Sequence, residues 1–231
     1  MTHLVTDPQG SPEPGDYGPE APVAERAAHR SRLGTAFREV VETLLLALVI
    51  YLSVRAVVQN FKVEGSSMDP TLHHGQYLLV NKAAYMRVDL EEAGRTAPFL
   101  SGLPEVRVHP FGLPKRGDIV VFRYPRDPSR DFIKRVVALP GESVEIKAGQ
   151  VYVNNQRLEE PYIFDNPTYS RPPEIVASDH YFVLGDNRNN SSDSHVWGSV
   201  PLHNVIGKAW LTYWPIQDWG SIPDYAAFAS K

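Results

Sequence analysis

Among 231 residues there is no cysteine, which excludes disulfides, thiol nucleophiles and cysteine-ligated zinc. That absence does not fix the compartment. Strong charge is missing too: 23 Lys and Arg against 27 Asp and Glu leave a net charge of −4, which gives no electrostatic reason to expect nucleic acid as a partner. Neither H-E-x-x-H nor G-x-S-x-G occurs, so two common hydrolase signatures are absent. There is no internal repeat. The longest uninterrupted apolar run, Leu44 to Leu52, is short.

Twenty prolines and sixteen glycines favour a turn-rich β architecture over a helical bundle. Residues 1–24 hold Pro, Gly, Asp and Glu with almost no large apolar side chains, and are expected to be disordered. Arg26, Arg30, Arg32 and Arg38 follow, so 1–37 reads as a disordered arm with a basic end. Val40 to Val58 would span ~28 Å as a helix, close to a hydrocarbon core of about 30 Å. Glu42 and Arg55 lie toward its ends, where they can reach headgroups. A buried core helix is the competing reading, and a cleaved leader fails because its basic segment would be far too long. More arginine before the span than after it puts the N-terminus in the cytoplasm and the rest of the chain outside.

Beyond Phe61 the pattern is β. Short apolar runs at 77–80, 118–122, 132–139, 180–184 and 205–214 are bounded by turn residues, and Lys147-Ala148-Gly149 joins two runs as a hairpin. Residues 87–117 and 154–179 read as irregular surface excursions. The expected fold is mainly β: an antiparallel, partly closed barrel or sandwich after one transmembrane helix.

Ser67 stands in Val63-Glu64-Gly65-Ser66-Ser67-Met68-Asp69-Pro70-Thr71-Leu72, between a glycine that permits unusual backbone angles and a proline that fixes φ. Alone, such a serine is a turn residue. A serine nucleophile needs a base. His73 and His74 are adjacent and read as a solvated turn rather than a shared metal site. Lys134 is the other candidate, because Phe132, Val136 and Ala138 share its strand face, and desolvation makes a buried amine neutral near pH 7. A lysine leaving an edge strand for solvent is the bland alternative. The polar run 185–194, ending at His195-Val196-Trp197-Gly198, reads as a loop crowded with hydrogen-bonding groups, without the spacing of a calcium loop.

Together these stretches resemble type I signal peptidase, in the family's order and after one span. The resemblance rests on 63–72, on Arg116-Gly117-Asp118-Ile119-Val120-Val121-Phe122, on 134–142, and on Gly185-Asp186-Asn187-Arg188 through Gly198. It covers about 40–214 and leaves out the arm and 87–113. The family is a membrane-bound serine endopeptidase that removes signal peptides from exported preproteins after Ala-x-Ala-like sites, without metal or cofactor. The resemblance implies Ser67 as nucleophile and Lys134 as general base. It makes Ser191, Gly65, Ser66 and Asp193 supporting residues, with His195 where some relatives carry Arg. Phe61, Val63, Ile133 and Met68 are implied around shallow substrate pockets. One oxyanion donor is the Ser67 N–H, and Gly65 leaves the second unassigned.

The same resemblance implies a catalytic β domain from 60–142 and 185–216, an inserted β cap at 143–184, an anchor at 38–59 and a tail at 217–231. Implied partners are preprotein signal peptides and membrane lipid, with secretion machinery nearby. Trp210, Tyr213, Trp214 and Trp219 are candidates for lipid contact or core packing. A LexA-like self-cleaving protease and an inactive, tethered peptide-binding β domain are the competing readings; the first lacks its DNA-binding domain, and the second would have lost Ser67 or Lys134.

Overall fold

The computed structural model describes residues 23–89, 107–223 and 225. It divides into two units, residues up to Tyr51 and residues from Leu52 onward.

Helix α1 spans Val23–Val57. Pro22 precedes its first residue, and no further proline interrupts a stretch rich in Ala, Leu, Arg and Glu. The basic residues from Arg26 are therefore helical, which corrects the expectation of an unordered segment reaching residue 37. Residues 1–22 lie outside the described set. Ala36–Val57 has mean hydropathy 2.1 and is long and apolar enough to cross a membrane, with none of that segment buried. The apolar residues from Leu44 to Leu52 are exposed, which removes the reading as a core helix.

In the second unit, β1 (Val58–Lys62) leads through the serine loop to β2 (Tyr77–Asn81). Two short strands, β3 (Val88–Asp89) and β4 (Arg107–Val108), pair with each other and flank 90–106, outside the described residues. Strand β5 (Ile119–Tyr124) is followed by β6 (Asp127–Ala138), then β7 (Ser143–Lys147) and β8 (Gln150–Val153). Next come β9 (Gln156–Arg157), β10 (Arg171–Ile175) and β11 (His180–Leu184). Last are β12 (Val200–Pro201), β13 (Val205–Trp214) and β14 (Gly220–Ser221).

The main sheet runs β1-β2-β13-β5-β6-β11-β12, with β14 on β13, and a separate sheet runs β10-β7-β8-β9. All of the pairings are antiparallel and the main sheet does not close. The hairpin expected at 147–149 is present: Lys147 pairs with Gln150 across Ala148 and Gly149, both at positive φ, as a tight primed turn requires. The 154–179 region is more ordered than expected, because β9 and β10 border the small sheet. Pro172 and Pro173 stand in β10, an edge strand, where a missing N–H costs no ladder bond. His180–Leu184 pairs with β6 in the main sheet rather than with the small one.

Three apolar clusters hold the unit. One joins Val137, Ala138 and Leu184 to the small sheet; one gathers Val63, Met68, Leu72, Ile119 and Ile133; one packs Phe122, Val136, Tyr181 and Trp197. Strand β6 contributes to all three, so it is buried on both faces from Ile133 to Ala138.

Candidate active site

Ser67 sits in the loop between β1 and β2. Gly65 has φ +82°, a left-handed conformation in which any side chain is strained. Met68 and Leu72, each at most 1 % exposed, pin the loop to the core, and Leu72 N donates to Met68 O (2.9 Å). The ends of the loop are clasped: Val63 N donates to Gln76 O (2.8 Å) and Gly75 N to Val63 O (2.9 Å).

Lys134 lies on β6 opposite Val120 of β5, one residue before β11 joins the other side at Arg135, so it borders the open side of an otherwise interior strand. It is 5 % exposed, and its Nζ lies 2.6 Å from Ser67 Oγ and 2.9 Å from the Ile133 carbonyl. The Phe132 ring centroid is 5.7 Å away. Burial pushes the amine down from 10.5 to about 8, while the charges of Asp193 and Asp186 pull it back up. An amine in contact with a hydroxyl and neutral in a large fraction near pH 8 can accept that hydroxyl's proton.

The 185–195 loop supports this pair. Asn187 N donates to Ser67 O (3.1 Å), Asn187 Nδ2 to Ser66 O (3.1 Å) and Asn190 Nδ2 to Ser66 Oγ (2.8 Å). A Cβ on Gly185 would stand 2.2 Å from Ser191 Oγ and 2.4 Å from Ser67 O, so only glycine fits there. Asp193, fully buried, accepts from Gly185 N (2.9 Å) and lies 2.6 Å from His195 Nδ1. The His195 ring stacks on Tyr169 (3.9 Å). Ser191, which in the resembled family hydrogen-bonds the lysine, has a buried Oγ with no partner among the described residues.

A cleft of about 390 Å³ opens onto Ser67 and Lys134. Phe61 and Ile133 line it, together with Gln59, Asn60, Lys62, Glu64, Asp131, Phe132 and Ser192. Val63 and Met68 do not; both are core residues, 1 % and 0 % exposed. Strands alternate their faces, and the loop turns Met68 inward as the anchor of Ser67 rather than toward a substrate. Gly65 and Ser66 also lie outside the lining and act on the loop backbone. The Ser67 N–H has no acceptor among the described residues and is free to bind an oxyanion. His73 and His74 bind no common partner: His73 Nδ1 lies 2.6 Å from Asp69, and His74 Nδ1 accepts from Gly65 N (3.0 Å).

Sequence reasoning missed the ion pair behind the site. Arg135 donates two bonds to Asp186 (2.9 and 2.7 Å) and one to Gly117 O (2.8 Å), and neither partner's side chain is exposed. Thr71 Oγ1 adds a bond to Asp186 (2.6 Å), tying the serine loop to β6 and the polar loop. The available signal was an arginine inside an apolar run and an aspartate one glycine after another. Arg188 and Glu160 make a second buried pair.

A serine hydroxyl against a buried amine, at the floor of an open cleft on an antiparallel β scaffold, is the arrangement of a Ser–Lys hydrolase. The family described as "Signal peptidase, peptidase S26" matches residues 37–214. The chain is 37% identical over 212 residues to a protein named signal peptidase I of Leptolyngbya laminosa, covering 88% of this chain and 93% of that one. It is 38% identical over 196 residues to a probable signal peptidase I-1 of Synechocystis, covering 81% and 88%. With signal peptidase I of Pseudomonas aeruginosa the identity is 33% over 221 residues, covering 78% and 74%. The chain therefore belongs to the S26 signal peptidase family.

Proposed function

We propose that this protein is a membrane-anchored serine endopeptidase that removes N-terminal signal peptides from exported preproteins after Ala-x-Ala-like sites. The observation that carries the reading is the 2.6 Å contact between Ser67 Oγ and a buried Lys134 Nζ, in a chain of this family.

Neutral Lys134 takes the Ser67 proton as Oγ attacks the scissile carbonyl, and the Ser67 N–H stabilises the oxyanion. Lys134 then passes the proton to the leaving amine, which departs with the mature chain. The same amine activates a water that hydrolyses the acyl-enzyme, and the proton returns to Ser67. Ser191, whose hydroxyl is buried without a partner among the described residues, holds the Lys134 amine as it turns between these steps.

An extended peptide suits the cleft. Among the described residues β1 pairs with β2 alone, and β6 is joined by β11 from Arg135 onward, so residues 58–62 and 131–134 both present an open edge to the cleft. A substrate strand laid between them gains main-chain hydrogen bonds, and small alternate side chains reach Phe61 and Ile133. In this reading α1 spans the membrane over Ala36–Val57, with the N-terminus cytoplasmic and secretion machinery nearby. The catalytic domain lies outside, built from 58–142 and 180–223, with 143–179, which carries the small sheet, as the cap. Trp210, Trp214 and Trp219, each more than half exposed, supply contacts to lipid.

The test uses detergent-solubilised wild type and Ser67→Ala with a preprotein carrying Ala-x-Ala. Cleavage after the second Ala by wild type alone is expected. Equal processing by both removes Ser67 from the mechanism.

A further inference from the structure

Beside its apolar anchors Met68 and Leu72, the loop that carries Ser67 is held by a buried polar side chain, Gln76. Gln76 is 5 % exposed, and its Oε1 accepts from His73 N (2.9 Å) while its main-chain carbonyl accepts from Val63 N (2.8 Å). Gln76 therefore closes the far side of the loop and its near end at once. Its amide nitrogen points away from the loop and donates to Asp218 Oδ2 (2.7 Å). Asp218 belongs to the turn between β13 and β14, which is itself fastened to the main sheet: Asp218 N donates to Pro215 O (3.0 Å), Ile222 N to Trp210 O (3.0 Å), and Gly220 pairs with Thr212.

We propose that Asp218 is a positioning residue for the peptidase reaction: through Gln76 it latches the serine loop to the β13–β14 turn and keeps Ser67 Oγ in reach of Lys134. The physical reason is the asymmetry of a buried amide. With Asp218 present, both ends of Gln76 are satisfied. Without it, a buried N–H is left unpaired, and Gln76 turns toward water to recover a bond, giving up His73 N and loosening the loop. Asp218 touches neither the cleft nor the reacting atoms, and the residue is exposed, so its removal opens no cavity in the core. An angstrom of play at a nucleophile costs rate without changing how the substrate binds.

The inference rests on the signal peptidase reading for its kinetic part and not for its structural part, so two measurements are made on the full chain in detergent. Amide hydrogen exchange over 63–76 is expected to quicken in Asp218→Ala, with Asp218→Asn, which keeps the acceptor oxygen, close to wild type. Cleavage of an Ala-x-Ala preprotein, well below the melting midpoint, is expected to lose about three- to tenfold in kcat in Asp218→Ala with KM unchanged, and to recover in Asp218→Asn. Gln217→Ala, at the exposed neighbour, serves as the control and is expected to match wild type in both. Unchanged exchange in Asp218→Ala overturns the latch, as does an Asp218→Asn variant as loose as Asp218→Ala. If wild type cleaves nothing, the signal peptidase reading fails and the exchange data still decide the latch.

Discussion

In the proposed mechanism Lys134 concentrates the chemistry of this molecule in one side chain. Its amine is held down to about 8 because burial penalises the ammonium more than Asp193 and Asp186 support it. As the proposed reactive form is the neutral amine, kcat/KM is expected to rise with pH through about 8 and then level, which a pH–rate profile on a preprotein checks. Stability carries the same signature. Between about 8 and 10.5 the unfolded chain binds more protons than the folded one, so stability rises with pH across that window. Lys134→Met should therefore raise the melting midpoint, by up to about 3 kcal/mol of stability below pH 8 and less toward pH 10.5. It should also lower the cleavage rate by at least ~10³-fold. Calorimetry at pH 7 and pH 10 separates the two; a variant no more stable at pH 7 would show that the buried amine carries no penalty.

At the scale of elements, three pieces meet: the loop after β1, the middle of β6 and the polar loop after β11. Their junction is tight at Gly185, where an added methyl would run into Ser191 Oγ and the Ser67 carbonyl. Gly185→Ala is expected to destabilise by about 1–3 kcal/mol through overpacking. It is also expected to lower kcat by about 10²-fold through displacement of Ser67. Thermal melts and single-turnover cleavage measure the two effects separately. Gly65→Ala meets open space and is opposed only by its backbone angle, so its loss should be smaller than that of Gly185→Ala. The resemblance placed all three pieces in the right order. Val63 and Met68 were mislaid among substrate contacts because adjacency to a nucleophile in sequence does not reveal which way a loop turns its side chains.

For the whole molecule, the division at Tyr51 predicts that residues from Leu52 onward fold without the part of α1 that ends at Tyr51. The core clusters all lie in that unit, so the shortened chain should keep the melting midpoint and cleave a soluble Ala-x-Ala peptide. Its activity on vesicle-embedded preprotein should fall, since the anchor no longer holds it at the lipid surface. Sedimentation with vesicles, set beside the two cleavage rates, measures that difference.

The sequence by itself determined the apolar span, the antiparallel β class and the pair of residues proposed to react, because these rest on local properties: hydropathy, strand periodicity, turn residues, and motifs read against a family. Only the tertiary structure decided that Lys134 sits on an interior strand with its amine against Ser67, and that His180–Leu184 joins the main sheet. It alone placed Arg135 with Asp186, Ser191 without a partner among the described residues, and Asp218 behind the serine loop. Those facts depend on which distant residues share a buried space. The free energy of a buried charge or amide is set by the partners that the fold brings to it, not by its neighbours along the chain.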